Sequence, residues 1–280
     1  LFLGGRNHLG ISRDLSGQTA TKWKSVQGTI LDVTVGSAGG TTATIPLILV
    51  VKDRGSIRSR LYEFNYKVSS LTHRDTLSNS WVHGGSGRFY RQSVGLNTPL
   101  EPGIRKVELR NDQIIDLTTP QTYEDISVYS PSYQIMDQRI FSLARDGSLR
   151  IYHDGKQRLR TPEKYGGSPV TLSARRGESV ININPEFAVW KHTVPGRYRL
   201  VLPHNPAGGL TLFRGLTTYN ESRLYLLETD GNTIERLWES KRLPGYVSSV
   251  VRTGEGTVLT LVDTENDSTR LLRAEPRGLN

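Results

Sequence analysis

The chain has 280 residues, with 28 glycines, 13 prolines, no cysteine and a formal net charge of +9. The missing cysteines exclude disulfides, thiolate catalysis and Cys-ligated zinc or iron–sulfur clusters. No stretch approaches the ~18 consecutive apolar residues of a membrane-spanning helix.

From the N-terminus, Leu1-Phe-Leu3 reads as a short strand, and a first residue other than Met reads as a processed or truncated product. Trp23-Lys-Ser, Gly28–Val33, Ile45–Val51 and Ser59–Phe64 follow as β-type runs. Ile45–Val51 is apolar throughout, as in a strand buried on both faces, with Pro46 near its start where it disturbs pairing least. Asn79–Gly85 is aperiodic and loop-like. Arg88–Val94 and Lys106–Leu109 read as strands. Arg139–Arg145 and Ser148–Tyr152 form a predicted hairpin around Asp146-Gly147, and Asp154-Gly155 marks the next turn. Near the C-terminus four runs succeed one another: Ser222–Glu228, Thr233–Glu239, Gly245–Val251 and Thr257–Val262. Asp230-Gly231, Leu243-Pro-Gly245 and Gly254–Gly256 separate them. Helical periodicity is scarce.

A supersecondary unit recurring at tens of residues is the mark of a repeat architecture. The expectation is an all-β fold: a β-propeller of about five, alternatively six, four-stranded blades in one domain over 1–280. Blades fall at approximately 21–67, 68–118, 121–165, 168–203 and 210–276, with 1–20 helping closure through pairing of Leu1–Leu3 with Leu271-Leu272. A β-sandwich is the rival architecture.

Three basic groups, Arg54/Arg58/Arg60, Lys156/Arg158/Arg160 and Arg197/Arg199, alternate at strand period, which predicts charges gathered on one face of each strand. A basic chain fits an acidic protein, an acidic glycan or an anionic lipid surface. It carries neither a nucleic-acid recognition helix nor an aromatic single-strand platform, so no specific nucleic-acid partner is expected.

The stretches Ile140–Gly155, Lys164-Tyr-Gly-Gly-Ser168, Ser222–Glu228, Leu237–Ser240 and Leu243–Val247 resemble blades of bacterial FG-GAP/VCBS-repeat proteins, the integrin-α-like propellers. The resemblance implies a propeller in the bacterial periplasm, at the outer membrane or outside the cell. Such blades usually carry an Asp-x-Asp-x-Asp-Gly calcium loop. Here the corresponding loops are Gly36–Thr42, without a carboxylate, and Arg252–Gly256, with only Glu255. Calcium takes about six to eight oxygen ligands, so no metal and no cofactor is expected. The acidic Asp263–Asp267 reads as a solvated turn.

Catalytic motifs are weak. His73-Arg74-Asp75 lacks every other kinase element, and Gly84-Gly-Ser-Gly87 precedes a strand rather than a helix. The six histidines show no ligand-type spacing. Trp23 and Trp238 occupy equivalent positions and are expected to pack between blades. Trp81 is the functional aromatic of choice, and with His83, Arg88 and Tyr165 it forms the candidate interaction set. The expected function is a non-catalytic interaction or assembly module bound to a protein partner. The alternative is a propeller enzyme or small-ligand or glycan binder with its site at the central funnel.

Overall fold

The computed structural model describes residues 2–4, 8–11, 22–36, 43–85, 88–117, 128, 130–176, 179–207, 219–253, 258–263 and 269–274, and every regular element among them is a β-strand. Contacts divide the chain into two compact units, Leu1–Ser127 with Ser173–Ser179, and Val128–Leu172 with Val180–Asn280.

In the first unit, β1 (Phe2–Gly4), β2 (His8–Ile11) and β3 (Lys22–Ser25) form a three-stranded sheet. Two four-stranded antiparallel sheets follow. The first contains β4 (Thr29–Val35), β5 (Thr44–Asp53), β6 (Ser56–Asn65) and β7 (Ser70–Ser78). The second contains β8 (Ser80–Gly85), β9 (Arg88–Ser93), β10 (Arg105–Arg110) and β11 (Gln113–Asp116).

In the second unit, β12 (Tyr133–Met136), β13 (Arg139–Leu143), β14 (Ser148–His153) and β15 (Lys156–Lys164) make the third four-stranded sheet. A ribbon of β16 (Thr171–Ser173) and β17 (Val180–Asn182) follows it. The fourth sheet has β18 (Ala188–Lys191), β19 (Tyr198–His204), β20 (Glu221–Thr229) and β21 (Ile234–Glu239), with β22 (Leu243–Pro244) pairing the start of β20. A three-stranded sheet of β23 (Tyr246–Arg252), β24 (Val258–Asp263) and β25 (Thr269–Ala274) completes the unit.

Each four-stranded sheet joins strands in simple sequence order, the form of a propeller blade. Within the first unit β4 neighbours β8, and within the second β12 neighbours β18, so first strands of successive sheets lie side by side. The arrangement is all-β and propeller-like, with four four-stranded blades among the described residues.

The blade boundaries differ from those expected. The first blade closes with β7, while β3 belongs with β1 and β2. Residues 222–274 are split: β20 and β21 complete a sheet begun by β18 and β19, and β23–β25 form another. The reason is the β19–β20 ladder, in register from Tyr198↔Thr229 to His204↔Arg223, which pairs Leu200 with Leu227 and Leu202 with Tyr225. A full ladder with apolar cross-strand pairs outweighs the nearness of the later strands in sequence. Strand β1 pairs with β2 and β25 with β24, in place of the expected closure strands. The loops compared with calcium sites and the Asp263–Asp267 turn lie mostly outside the described residues, as does the Trp23 side chain.

Strand β5 is buried on both faces, as its composition predicted. Leu47, Leu49 and Val51 pack with Leu9, Val26 and Phe64, while Ile48 packs with Leu61, Val82, Phe89, Val107 and Ile114. Fully burying one such side chain contributes about 1.5–3 kcal/mol. In the second unit, Leu200, Leu202 and Leu227 meet Phe141, Leu143, Leu149 and Ile151. Val201, Leu224 and Leu226 face Val247, Val250 and Val258, and Trp238 packs against that cluster between adjacent sheets. The predicted turns at Asp146-Gly147, Asp154-Gly155 and Asp230-Gly231 are present, and Asp154 and Gly155 both take positive φ (50° and 73°), as a tight hairpin turn requires.

Buried polar side chains latch one sheet to the next. Ser59 Oγ donates to Ser80 O and accepts from Val82 N, both at 2.9 Å. Asn205 Nδ2 donates to Gly167 O (2.9 Å) and Val247 O (3.0 Å), and its Oδ1 accepts from Val247 N at 3.0 Å. Asn184 similarly donates to Ala144 O at 2.9 Å and accepts from Gly167 N at 3.1 Å. Such bonds contribute about 1 kcal/mol each and cost more when one partner is removed.

Candidate functional site

In the β4–β5 ladder Ile30 pairs with Val51 but Asp32 pairs with Val50, so Leu31 is an extra residue. A bulge of this kind re-aims the side chains that follow it. Ile30 and Val33 both pack on the Leu47/Leu49/Val51 core, three positions apart, which only the bulge permits. Asp32 and Thr34 are thereby turned to the other face of β4.

Asp32 meets β8 on that face. Val82 takes the core side of β8, and Trp81 and His83 alternate to the other. Trp81 Nε1 donates to Asp32 Oδ2 at 3.1 Å, and His83 Nδ1 lies 3.0 Å from the same oxygen. The His83 and Asp32 side chains are 5% and 7% exposed, and Trp81 is 2% exposed. A carboxylate on Nδ1 accepts its proton and fixes the ring orientation, the arrangement used by histidine bases and metal ligands. The Thr34 hydroxyl, buried in the same strand, has no hydrogen-bond partner among the described residues.

Trp81 thus lies in a strand, correcting the loop reading of 79–85. Asn79 alone, at φ 50°, turns the chain from β7 to β8, and its backbone bonds to Ile57 O and Val94 N at 2.8 Å tie that turn down. Of the four candidates, Trp81 and His83 come together in this buried cluster. Tyr165 is buried in the second unit, edge-on to Tyr225 at 5.8 Å, and burial pushes its hydroxyl up to about 12. It precedes Gly166 and Gly167, both at positive φ; a Cβ on Gly167 would lie 2.3 Å from Asn205 O. Only Arg88, at the start of β9, is on the surface. Sequence reasoning missed Asp32, because Ile30-Leu-Asp-Val33 gives no sign of a bulge.

Charge is organised sheet by sheet. Asp53 binds Arg60 (2.9 Å) and Arg58 (3.7 Å); Asp116 binds Arg91 (2.7 Å) and Arg105 (4.0 Å). Glu228 binds Arg197 (2.7 Å), Arg199 (3.2 Å) and His192 (3.7 Å). Asp146 binds Arg160 (2.6 Å), Lys164 (3.3 Å) and Arg150 (3.8 Å). Burial opposes ionisation of Asp146, but Ser148, donating from N and Oγ, together with Arg160 and Lys164, holds the carboxyl far below the usual range. Glu228 is likewise lowered: burial works against it and Arg197 and Arg199 prevail. Each four-stranded sheet therefore carries at least one carboxylate shared by two or three cations, and the fourth has a second in Glu239, which binds Arg223 and Arg236. Arg58, Arg60, Arg197 and Arg199 are each paired with a carboxylate of their own sheet. An extra residue at Arg158, between Gln157↔Tyr152 and Leu159↔Ile151, breaks the expected alternation of Lys156, Arg158 and Arg160.

At the turn end of β20–β21 an open cavity of about 270 Å³ is lined by Arg197, Glu228, Thr229, Asp230, Thr233, Ile234 and Glu235. Asp230 Oδ1 there accepts from Asn232 N and Thr233 N, both at 2.8 Å, which lowers its pKa.

No protein-family profile matches the chain, and no curated protein matches it. Solved structures similar to it include BBS1N in complex with ARL6DN, at 12% identity and a TM-score of 0.43, covering 100% of this chain and 77% of that one. The S. cerevisiae core factor is similar at 12% identity and a TM-score of 0.44, over 96% of this chain and 52% of that one. The catalytic domain of a Coprinopsis cinerea GH62 α-L-arabinofuranosidase is similar at 10% identity and a TM-score of 0.44, over 99% and 96%. The blade form rests on the strand pairing itself.

Proposed function

We propose that the chain is a non-catalytic, propeller-like scaffold that holds a protein partner in a larger assembly. One observation carries this reading. The buried polar groups Asp32, Arg60, Asn184, Arg199 and Asn205 are bonded within the fold, whereas the exposed cations Arg145, in the turn before β14, and Lys156 and Arg158, on β15, make no ion pair among the described residues. Rigid sheets presenting charged strands and turns suit recognition of a macromolecular surface. A bacterial envelope or extracellular location belongs to the same proposal and is tested by fractionating the host. The main test is purification of the tagged full chain after mild cross-linking, followed by light scattering on the eluted species. A stoichiometric protein complex is expected. A strictly monomeric chain that turns over glycans would overturn the reading.

The buried Asp32–His83 pair favours a second reading, a ligand or enzyme site beside β4 and β8, since a carboxylate-oriented imidazole is suited to proton transfer. Turnover or ligand binding lost in His83→Gln, with folding intact, would support it.

A further inference from the structure

We infer that the exposed cations of β15 and of the turn before β14 form a receptor for an acidic peptide segment of a protein partner, with Asp146 acting as a built-in competitor. This rests on the scaffold reading. Between residues 145 and 164 stand six cations, Arg145, Arg150, Lys156, Arg158, Arg160 and Lys164, against three carboxylates, Asp146, Asp154 and Glu163. Three of those cations converge on one carboxylate, Asp146. Arg160 uses one guanidinium nitrogen on it, and its side chain remains 52% exposed, as does that of Lys164. Arg145, Lys156 and Arg158 are exposed and make no ion pair among the described residues.

The chemistry selects a carboxylate. The cluster already binds one through short charge-assisted bonds, and guanidinium forks match carboxylate geometry. The aromatic ring on this strand pair, Tyr152, is 7% exposed, so it offers no platform for stacked bases. β15 is the outermost strand of its sheet, and the extra residue at Arg158 re-aims its side chain locally. A basic, bulged edge can also serve only to repel other strands, and the experiment separates the two roles.

The probe is a fluorescein-labelled peptide of about twelve residues alternating Glu and Ser, followed by polarization on the full chain at low and physiological salt. Arg158→Ser/Arg160→Ser should weaken binding about tenfold, whereas Arg242→Ser, on a side chain 68% exposed, should not. Asp146→Asn keeps an oxygen for Ser148 and removes the competing charge, so it should tighten binding about threefold. Equal binding of a Gln/Ser peptide would overturn the inference. So would equal or tighter binding of oligo-dT or a heparin fragment of matched charge, which would mark a general polyanion surface. Increased self-association of Arg158→Ser/Arg160→Ser with unchanged peptide affinity would mark an edge guard. A native complex that survives the double substitution would sink this surface and leave the scaffold reading standing; peptide binding without any native protein complex would do the reverse.

Discussion

Truncating Asp32 to alanine removes the acceptor that serves Trp81 Nε1 and His83 Nδ1, two donors on side chains under 6% exposed. A hydrogen bond to a charged group contributes about 1.5–3 kcal/mol, and an orphaned buried donor costs about 1–3 kcal/mol. Truncation also relieves the cost of burying the carboxylate, which brings the expected net loss to about 2–4 kcal/mol. At about 2–4 °C per kcal/mol, the transition of the first unit should fall by about 5–15 °C. Asp32→Asn retains an acceptor oxygen and should cost about 1 kcal/mol or less. Urea unfolding followed by circular dichroism and tryptophan fluorescence reads both variants. If Asp32→Ala stays within about 0.5 kcal/mol of the parent chain, the carboxylate is not what seats Trp81 and His83, and the bulge has no such purpose.

Gly167→Ala should destabilise the second unit by about 3 kcal/mol or more, because its Cβ would strike Asn205 O at φ +94°; Gly155→Ala, with nothing within 4 Å, should cost only about 1 kcal/mol of backbone strain, both read by chemical denaturation. Burial lowers the pKa of His204 below its ordinary 6.5, so its contribution is complete above about 6.5 and is lost as pH falls from there through the lower folded-state value, because the unfolded chain takes up the proton first. Thermal melts between pH 7.5 and 5 should show that decline, and His204→Gln should flatten it. Tyr165, raised to about 12, contributes fully below pH 10 and loses that contribution between 10 and 12; absorbance titration at alkaline pH should lose its latest step in Tyr165→Phe.

The strands were largely legible in the sequence, and their partners were not. Asp146-Gly147 and Asp154-Gly155 announce hairpins because their φ requirements are local. The apolar run of β5 announces burial on both faces because composition alone conveys it. Sheet membership is different: β20 had two possible neighbours in sequence order, and the choice of β19 depends on cross-strand packing spread over long separations. The site failed for a similar reason. Asn79, Gly84 and Gly85 disguised β8 as a loop, and one unannounced extra residue at Leu31 decides where Asp32 points. The three basic groups gave the right residue types, but the carboxylates that bind their members, Asp53, Asp146 and Glu228, come from neighbouring strands or turns.

The latches have a kinetic consequence. Val82 and Val247 give their amide protons to side chains, Ser59 Oγ and Asn205 Oδ1, that reach across from a neighbouring sheet. Their amides become labile as soon as two blades part, even while every ladder inside each blade stays intact. Hydrogen exchange at these two positions therefore times the separation of neighbouring blades, whereas exchange at the mid-ladder amides of β5 or β19 times the melting of a blade itself.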